Sequence, residues 1–192
     1  MIPALSYAKR VMKLLQWKNP RQRWILKSPD ALRYLPDVFK VFPDLNLIWM
    51  HRDPIKSLSS LVNLIGTLFW IRSDKLLDGS FLASLVNPEG MSTSFNNAID
   101  WIEQGKIPVS QVCSVQYNDL ISQPLEAIEY IYRHGGIDLT DHARQSIAKY
   151  LQENPREKRP THQYSIGDKK RHADERKYFA RYQQFFNVVS EV

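Results

Sequence analysis

Short segments with β-strand character constrain the fold of this 192-residue chain more than any other feature. Residues 45–50 form an apolar run bounded by turn residues, which predicts a buried strand. Residues 111–116 predict another strand, and the Trp and Ile of residues 23–26 predict a third. Helical patterns separate the three segments, which is typical of an α/β domain with a parallel sheet.

Apolar residues recur at helical spacing over most of the remaining chain. The predicted helices cover residues 2–17, 31–42 with a kink or break at Pro36, 53–71, 92–104, 124–134, 138–153 and 172–189. Residues 72–90 and 154–168 predict loops. A sheet of three parallel strands leaves an edge open unless another strand or chain pairs with it, so self-association through that edge is a possible property. We expect one domain over residues 1–192.

Composition excludes several classes of protein. Hydrophobic residues make up 43% and charged residues 24%, as in an ordinary globular domain. No apolar run reaches the roughly 18 residues of a membrane span, and residues 1–10 lack the pattern of a signal peptide. These observations predict a cytoplasmic protein. The single cysteine, Cys113, excludes an internal disulfide and a cysteine-based zinc cluster, so no metal site is predicted.

The net charge of +6 is concentrated in two basic regions. Residues 1–33 hold eight Lys or Arg and one acid, and residues 156–181 hold nine Lys or Arg and four acids. This pattern suits an anionic ligand, and it suits solvated helix faces equally well. The basic regions lack a nucleic-acid-binding motif and interleaved aromatic residues, so a nucleic-acid partner is not predicted.

Polar side chains follow each predicted strand. Lys27 follows the first strand, Arg52 the second and Tyr117 the third. Ligands of open α/β sheets bind beyond the carboxyl ends of the strands, so this rim is the predicted binding site. A helix that starts at Asp53 and Pro54 adds backbone N–H donors beside Arg52. The rim therefore predicts an anion site, although Arg52 could instead pair with Asp53 or another surface acid.

Two hydroxyl groups lie on the helix that follows Arg52. Ser57 and Ser60 share one face of the predicted helix, where a hydroxyl can donate to an anion held by Arg52. The alternative for Ser60 is a role in helix packing. The alternative for Lys27 is an exposed lysine at a strand end.

These residues resemble a known family. Residues 24–29 (Trp-Ile-Leu-Lys-Ser-Pro), 42–44 (Phe-Pro-Asp) and 51–54 (His-Arg-Asp-Pro), with Ser60 eight residues after Arg52, are similar to the 3′-phosphate-binding part of sulfotransferases. The likeness is closest to the bacterial branch. It implies a P-loop NTPase-like parallel sheet with flanking helices, and 3′-phosphoadenosine 5′-phosphosulfate (PAPS) as the cofactor.

The resemblance also implies roles for individual residues. The Arg and Ser of the family's Arg-x7-Ser arrangement hold the 3′-phosphate of the cofactor, and these positions are Arg52 and Ser60. Residues 117–120 are similar to a Tyr-x-Asp-Leu segment whose Tyr lies near the adenine, which makes Tyr117 a cofactor contact. Lys27 would be the catalytic cation that stabilises charge on the transferred group. Residues 162–165 (His-Gln-Tyr-Ser) resemble the family's tail.

Two departures from the family pattern keep two functions open. The Gly-bearing loop that holds the 5′-phosphosulfate has no counterpart, so the chain resembles the C-terminal part of a sulfotransferase and looks truncated at its N-terminus. Ala31 stands where bacterial members usually carry a His. One hypothesis is a sulfotransferase that transfers a sulfuryl group from PAPS to a hydroxyl or amine acceptor. The other is a non-catalytic remnant that binds a nucleotide or a protein partner.

Overall fold

The computed structural model describes residues 1–75, 78–158 and 169–192. These residues form two strands and nine α-helices: α1 (Ile2–Leu15), α2 (Leu35–Val41), β1 (Leu47–His51), α3 (Pro54–Trp70), α4 (Gly79–Leu85), α5 (Pro88–Glu103), β2 (Val112–Gln116), α6 (Tyr117–Ser122), α7 (Pro124–His134), α8 (Asp141–Glu153) and α9 (Lys169–Phe186). Short 3₁₀ turns lie at 29–34, 109–111 and 156–158. Within the described ranges, none of the helices has both the length and the apolar character that a membrane span requires.

The two strands pair in parallel and form the sheet. Leu47 lies opposite Val112, and His51 lies opposite Gln116, so both strands end at the same edge. The intervening residues 52–111 include three helices, and a connection of this kind is needed between parallel neighbours. The prediction of a parallel sheet with flanking helices is confirmed.

Helices α3 and α7 begin where the sequence predicts a start, whereas α5 begins at Pro88, before the predicted residue 92. Pro54, Pro88 and Pro124 occupy the first turns of α3, α5 and α7, where a proline has no N–H bond to lose. The carboxylate of Asp53 accepts a hydrogen bond from the Ile55 N–H at 3.0 Å and caps α3. The start of α3 is therefore fixed immediately after the end of β1.

The core lies between the sheet, α5 and α9. Trp49 and His51 of β1 point to this side, where both are buried. Phe95 of α5 stacks on Tyr182 of α9 with 4.1 Å between ring centroids, and His51 stacks on Phe186 at 4.2 Å. The aromatic rings of three elements therefore bind α9 to the strand end.

We expect the α9 core contact to carry a large part of the free energy of unfolding. Phe179 is fully buried, whereas Phe185 on the same helix is 41% exposed. Phe179→Ala should lower the free energy of unfolding by about 3–5 kcal/mol, because it removes a buried ring and leaves a cavity. Phe185→Ala, the matched control, should cost much less. Urea unfolding followed by circular dichroism checks both values, and equal losses would contradict this description of the core.

The predicted strand at 23–26 is wrong. This segment has no regular structure, and Trp24, Ile25 and Leu26 are 42%, 96% and 58% exposed. A strand needs a neighbour that satisfies its backbone groups, and β1 pairs only with β2 in the part of the chain that the structure describes. Lys27 consequently lies on an exposed irregular segment and does not follow a strand.

Two other predictions need correction at their boundaries. The helix predicted over 31–42 begins as a 3₁₀ turn at 29–34, and the predicted break near Pro36 is confirmed because α2 starts one residue before it. The predicted loop over 72–90 contains α4 and the start of α5. The Asp78 carboxylate caps α4 by accepting from the Ser80 N–H at 2.9 Å, a local signal strong enough to start a short helix.

One face of the sheet is only half covered. Ile48 pairs with Cys113 and Met50 with Val115, so these four side chains share a face. Cys113 and Val115 are buried on the side where α7 packs, whereas Ile48 and Met50 are 48% and 38% exposed. Parallel sheets usually bury both faces, so the β1 half of this face is an exposed apolar surface.

Candidate functional site

The carboxyl ends of β1 and β2 bring two of the predicted site residues together. Arg52 follows β1 and Tyr117 follows β2, in adjacent positions because the strands are parallel and in register. The Arg52 guanidinium lies over the Tyr117 ring, 4.2 Å from its centroid. A guanidinium packed against an aromatic face is attracted by the ring quadrupole, and its N–H groups donate to anions in the guanidinium plane.

An open cavity of about 260 Å³ lies at this edge of the sheet. Its lining comes from the β1 end (51–53), from the β2 end and the start of α6 (116–119), and from the tail segment, which we define as residues 187–192. Arg52 is the one cationic side chain among the described residues that line it. Ligand pockets commonly measure about 300–1,000 Å³, so the cavity as it stands is small for a nucleotide.

The Asp53 carboxylate bonds to three parts of the chain beneath the rim. This buried carboxylate accepts from the Ile55 N–H, from both terminal nitrogens of Arg176 at 3.2 Å, and from the Glu191 N–H at 2.6 Å. Burial by itself would raise the pKa of Asp53, but the hydrogen bonds from Arg176, Glu191 and Ile55 outweigh it and lower the pKa. Asp53 is therefore a charged carboxylate that holds α3, α9 and the tail segment together.

Arg52 forms a two-point ion pair with the tail segment. Its Nε donates to Glu191 Oε1 at 2.9 Å, and its Nη2 donates to Glu191 Oε2 at 3.0 Å. The two side chains are 26% and 20% exposed, so the pair is partly shielded from water. The sequence alternative of an ion pair for Arg52 is therefore realised, with an acid 139 residues away. The same geometry shows that Arg52 can present two N–H groups to one oxyanion.

His51 and Tyr182 form a buried neutral pair under the rim. His51 Nδ1 lies 3.0 Å from the Tyr182 hydroxyl, and Nε2 of His51 has no hydrogen-bond partner among the described residues. Burial lowers the pKa of His51 from 6.5 to about 4 and raises the pKa of Tyr182. Both groups are consequently uncharged near neutral pH, and they pack at the end of β1, directly before Arg52.

The buried imidazole makes the stability of the fold depend on pH. In the unfolded chain His51 takes up a proton at pH 6.5, whereas in the folded protein its pKa is about 4. The contribution of neutral His51 to the free energy of unfolding is complete above pH 6.5. It is lost as the pH falls toward 4, because protons then bind the unfolded state preferentially. We expect a loss of about 3 kcal/mol in the free energy of unfolding over this window from this group.

Urea unfolding at a series of pH values between 7 and 4 checks this expectation. His51→Asn cannot bind the proton and should remove that part of the pH dependence. His142→Asn, at an exposed position, is the matched control and should keep the pH dependence of the parent. A parent-like slope in His51→Asn would contradict the assignment.

The other predicted site residues lie apart from the cavity. Ser60 is half-buried on α3, six residues after Pro54 and therefore about 9 Å along the helix axis, and it is not among the described lining residues. Lys27 is exposed and is not among them either. The predicted family tail at 162–165 lies outside the described residues. The structure therefore brings together Arg52 and Tyr117 but not Ser60 or Lys27.

Three residues that sequence reasoning did not single out take part in the site: Arg176, Asn187 and Glu191. Arg176 lies on α9 and binds Asp53, and Asn187 ends α9 with a φ of 52°, which turns the chain toward the rim. Asn is one of the few residues that adopt this left-handed conformation readily, so its position directly after the end of a helix is a weak signal for the turn. Glu191 carries no motif, and no local signal could have paired it with Arg52.

Comparison with known families identifies the chain. A family model described as "Sulfotransferase family" matches residues 3–141. The chain belongs to the sulfotransferase family. The match includes β1, Arg52, α3, β2 and Tyr117, and it ends before α9 and the tail segment. The resemblance drawn from the sequence motifs is therefore confirmed. No curated protein matches the sequence significantly.

Solved structures with the same fold come from mycobacteria. Sulfotransferase STF1 from Mycobacterium tuberculosis H37Rv superposes with a TM-score of 0.71 at 26% identity, over 94% of this chain and 45% of that one. Sulfotransferase STF9 from Mycobacterium avium superposes with a TM-score of 0.70 at 24% identity, over 100% of this chain and 48% of that one. The chain spans less than half the length of either structure. The P-loop-like α/β fold and the likeness to bacterial members of the family are as predicted.

Proposed function

We propose that this chain binds the 3′-phosphate end of PAPS, or of its product 3′-phosphoadenosine 5′-phosphate, at the carboxyl ends of β1 and β2. Membership of the sulfotransferase family supports the nucleotide class. The observation that carries the proposal is the Arg52 guanidinium, which lies on Tyr117 and already holds one oxyanion at two points. A phosphate accepts from a guanidinium with the same two-point geometry.

Further contacts fit a nucleotide at this edge. The α3 N-terminus begins next to Arg52, and its positive dipole end favours a phosphate there. Tyr117 offers an aromatic ring beside the phosphate site, which suits stacking near an adenine. Ser60, by family resemblance, donates its hydroxyl to the same phosphate. Because it lies about 9 Å along α3, this role needs the phosphate to extend along the helix face beyond the present cavity.

The proposed chemistry is transfer of a sulfuryl group to a hydroxyl or amine acceptor. The acceptor atom bonds to sulfur, and the bond from sulfur to the bridging phosphate oxygen breaks. The 3′-phosphoadenosine 5′-phosphate leaves with the bonding electrons, and the proton of the acceptor passes to solvent. Negative charge builds on the leaving phosphate, where a cation lowers the barrier. We assign that role to Lys27 by family resemblance. Since Arg52 is the one cation on the described cavity lining, transfer also requires a segment that holds the 5′-phosphosulfate.

We expect nucleotide binding to depend on both Arg52 and the 3′-phosphate. Isothermal titration calorimetry with 3′-phosphoadenosine 5′-phosphate should show binding that Arg52→Ala weakens at least tenfold, since a charge-assisted contact is worth about 1.5–3 kcal/mol. Adenosine 5′-phosphate, which lacks the 3′-phosphate, should bind the parent and Arg52→Ala equally weakly. Arg72→Ala, at an exposed position after α3, controls for the loss of one positive charge. Unchanged affinity in Arg52→Ala would exclude this site.

A second candidate function is a protein-interaction module without catalytic activity. The exposed side chains of Ile48 and Met50 on the uncovered sheet face favour it, together with the exposed apolar segment 24–26. Contiguous exposed apolar surface commonly marks a site for another protein chain. This candidate predicts no sulfuryl transfer with any acceptor, and it predicts self-association through the uncovered face of the sheet.

Sedimentation velocity tests the self-association. We expect the average mass of the parent to rise with concentration, and Ile48→Lys to reduce that rise because a charge on the apolar face must be desolvated in the contact. Tyr150→Lys, which changes a residue of similar exposure on α8, is the matched control. A parent that stays monomeric at every concentration would remove the support for this candidate.

A further inference from the structure

The tail segment is held against the rim by contacts that do not involve the Glu191 side chain. Gln116 Nε2 donates at 2.8 Å to the carbonyl of Phe186, which ends α9 directly before the tail segment, and Gln183 Nε2 donates to the Val188 carbonyl at 3.2 Å. The Glu191 N–H donates to Asp53 at 2.6 Å. Contacts with α9, the β2 end and Asp53 therefore fix the path of the tail segment. This path places the Glu191 side chain at the rim.

Arg176 reinforces this placement. Its guanidinium joins the Asp53 carboxylate at 3.2 Å, and its Nη2 also donates to the Val192 backbone oxygen at 2.6 Å. Asp53 and Arg176 consequently bind the backbone on both sides of the Glu191 side chain. Removing the Glu191 charge should leave these contacts in place.

The Glu191 carboxylate occupies two Arg52 donors that a phosphate bound in the same two-point geometry needs. Nε and Nη2 of Arg52 each donate to one oxygen of Glu191. An oxyanion of a ligand that binds the same two N–H groups cannot be accommodated together with the carboxylate. The cavity beside them is also smaller than the usual range for a ligand pocket.

We propose that Glu191 is a specificity-determining residue that competes with the ligand for Arg52, so that a nucleotide binds only by displacing its carboxylate. This inference rests on the proposed phosphate site at Arg52. A phosphate monoester carries about −1.5 to −2 charges at pH 7, whereas the Glu191 carboxylate carries one. A singly charged ligand that binds weakly therefore cannot displace the Glu191 carboxylate from Arg52. A terminal phosphate that other contacts also hold can displace it.

The test compares Glu191→Gln with the parent by titration calorimetry at constant salt. Gln has the same length but no charge, so we expect the affinity for 3′-phosphoadenosine 5′-phosphate to rise about tenfold or more. The affinity for adenosine 5′-phosphate should not change. Glu153→Gln on α8 removes the same charge at an exposed position, and it should leave both affinities as in the parent. Glu191→Asp keeps the charge on a shorter side chain and should bind with intermediate affinity.

The outcomes separate this inference from the proposed function. Binding that requires Arg52 but has the same strength in the parent, Glu191→Gln and Glu191→Asp would overturn the competition and leave the phosphate site standing. Equal gains in Glu191→Gln and Glu153→Gln would overturn the competition as well, because they would report net charge alone. Absence of Arg52-dependent binding in folded parent and folded Glu191→Gln would overturn both. Binding seen only in Glu191→Gln would support both.

Discussion

The buried carboxylate of Asp53 is the interaction on which the rest of this structure depends. A charge taken out of water is costly unless partners replace the lost hydration, and Asp53 gains the Arg176 guanidinium and two backbone N–H groups. Each partner belongs to a different part of the fold: the start of α3, the middle of α9 and the tail segment. Compensation of one charge therefore fixes three segments around the carboxyl end of β1.

The site follows from this arrangement together with the sheet register. Because β1 and β2 are parallel and in register, residues that follow them must be neighbours, which places Arg52 on Tyr117. Asp53 caps α3 in the next position, so the helix dipole begins beside the same guanidinium. The uncharged pair of His51 and Tyr182 packs below, so among the described residues that line the cavity Arg52 carries the positive charge.

Sequence reasoning succeeds here where the signal is local or repeated in a family. The runs at 45–50 and 111–116 are short and apolar, and the Asp53–Pro54 pair marks a helix start, so the order strand, Arg52, helix is predictable. It fails where a partner decides the outcome. Residues 23–26 have a strand-like composition, but they have no strand to pair with in the described part of the chain. Glu191 lies 139 residues from Arg52, and nothing in the intervening sequence specifies their contact.

The family model and the tail segment describe different parts of the site, and this difference bears on function. The model match ends at residue 141 and covers Arg52 and Tyr117, whereas Arg176 and Glu191 lie beyond it. The matched region therefore includes Arg52, and the tail segment beyond that region adds a carboxylate to the same guanidinium. Arg52 already has the Glu191 carboxylate as a partner. A ligand anion that replaces this carboxylate therefore gains only the difference in free energy between the two contacts. For the proposed phosphate site, affinity therefore depends on the tail segment as well as on the rim.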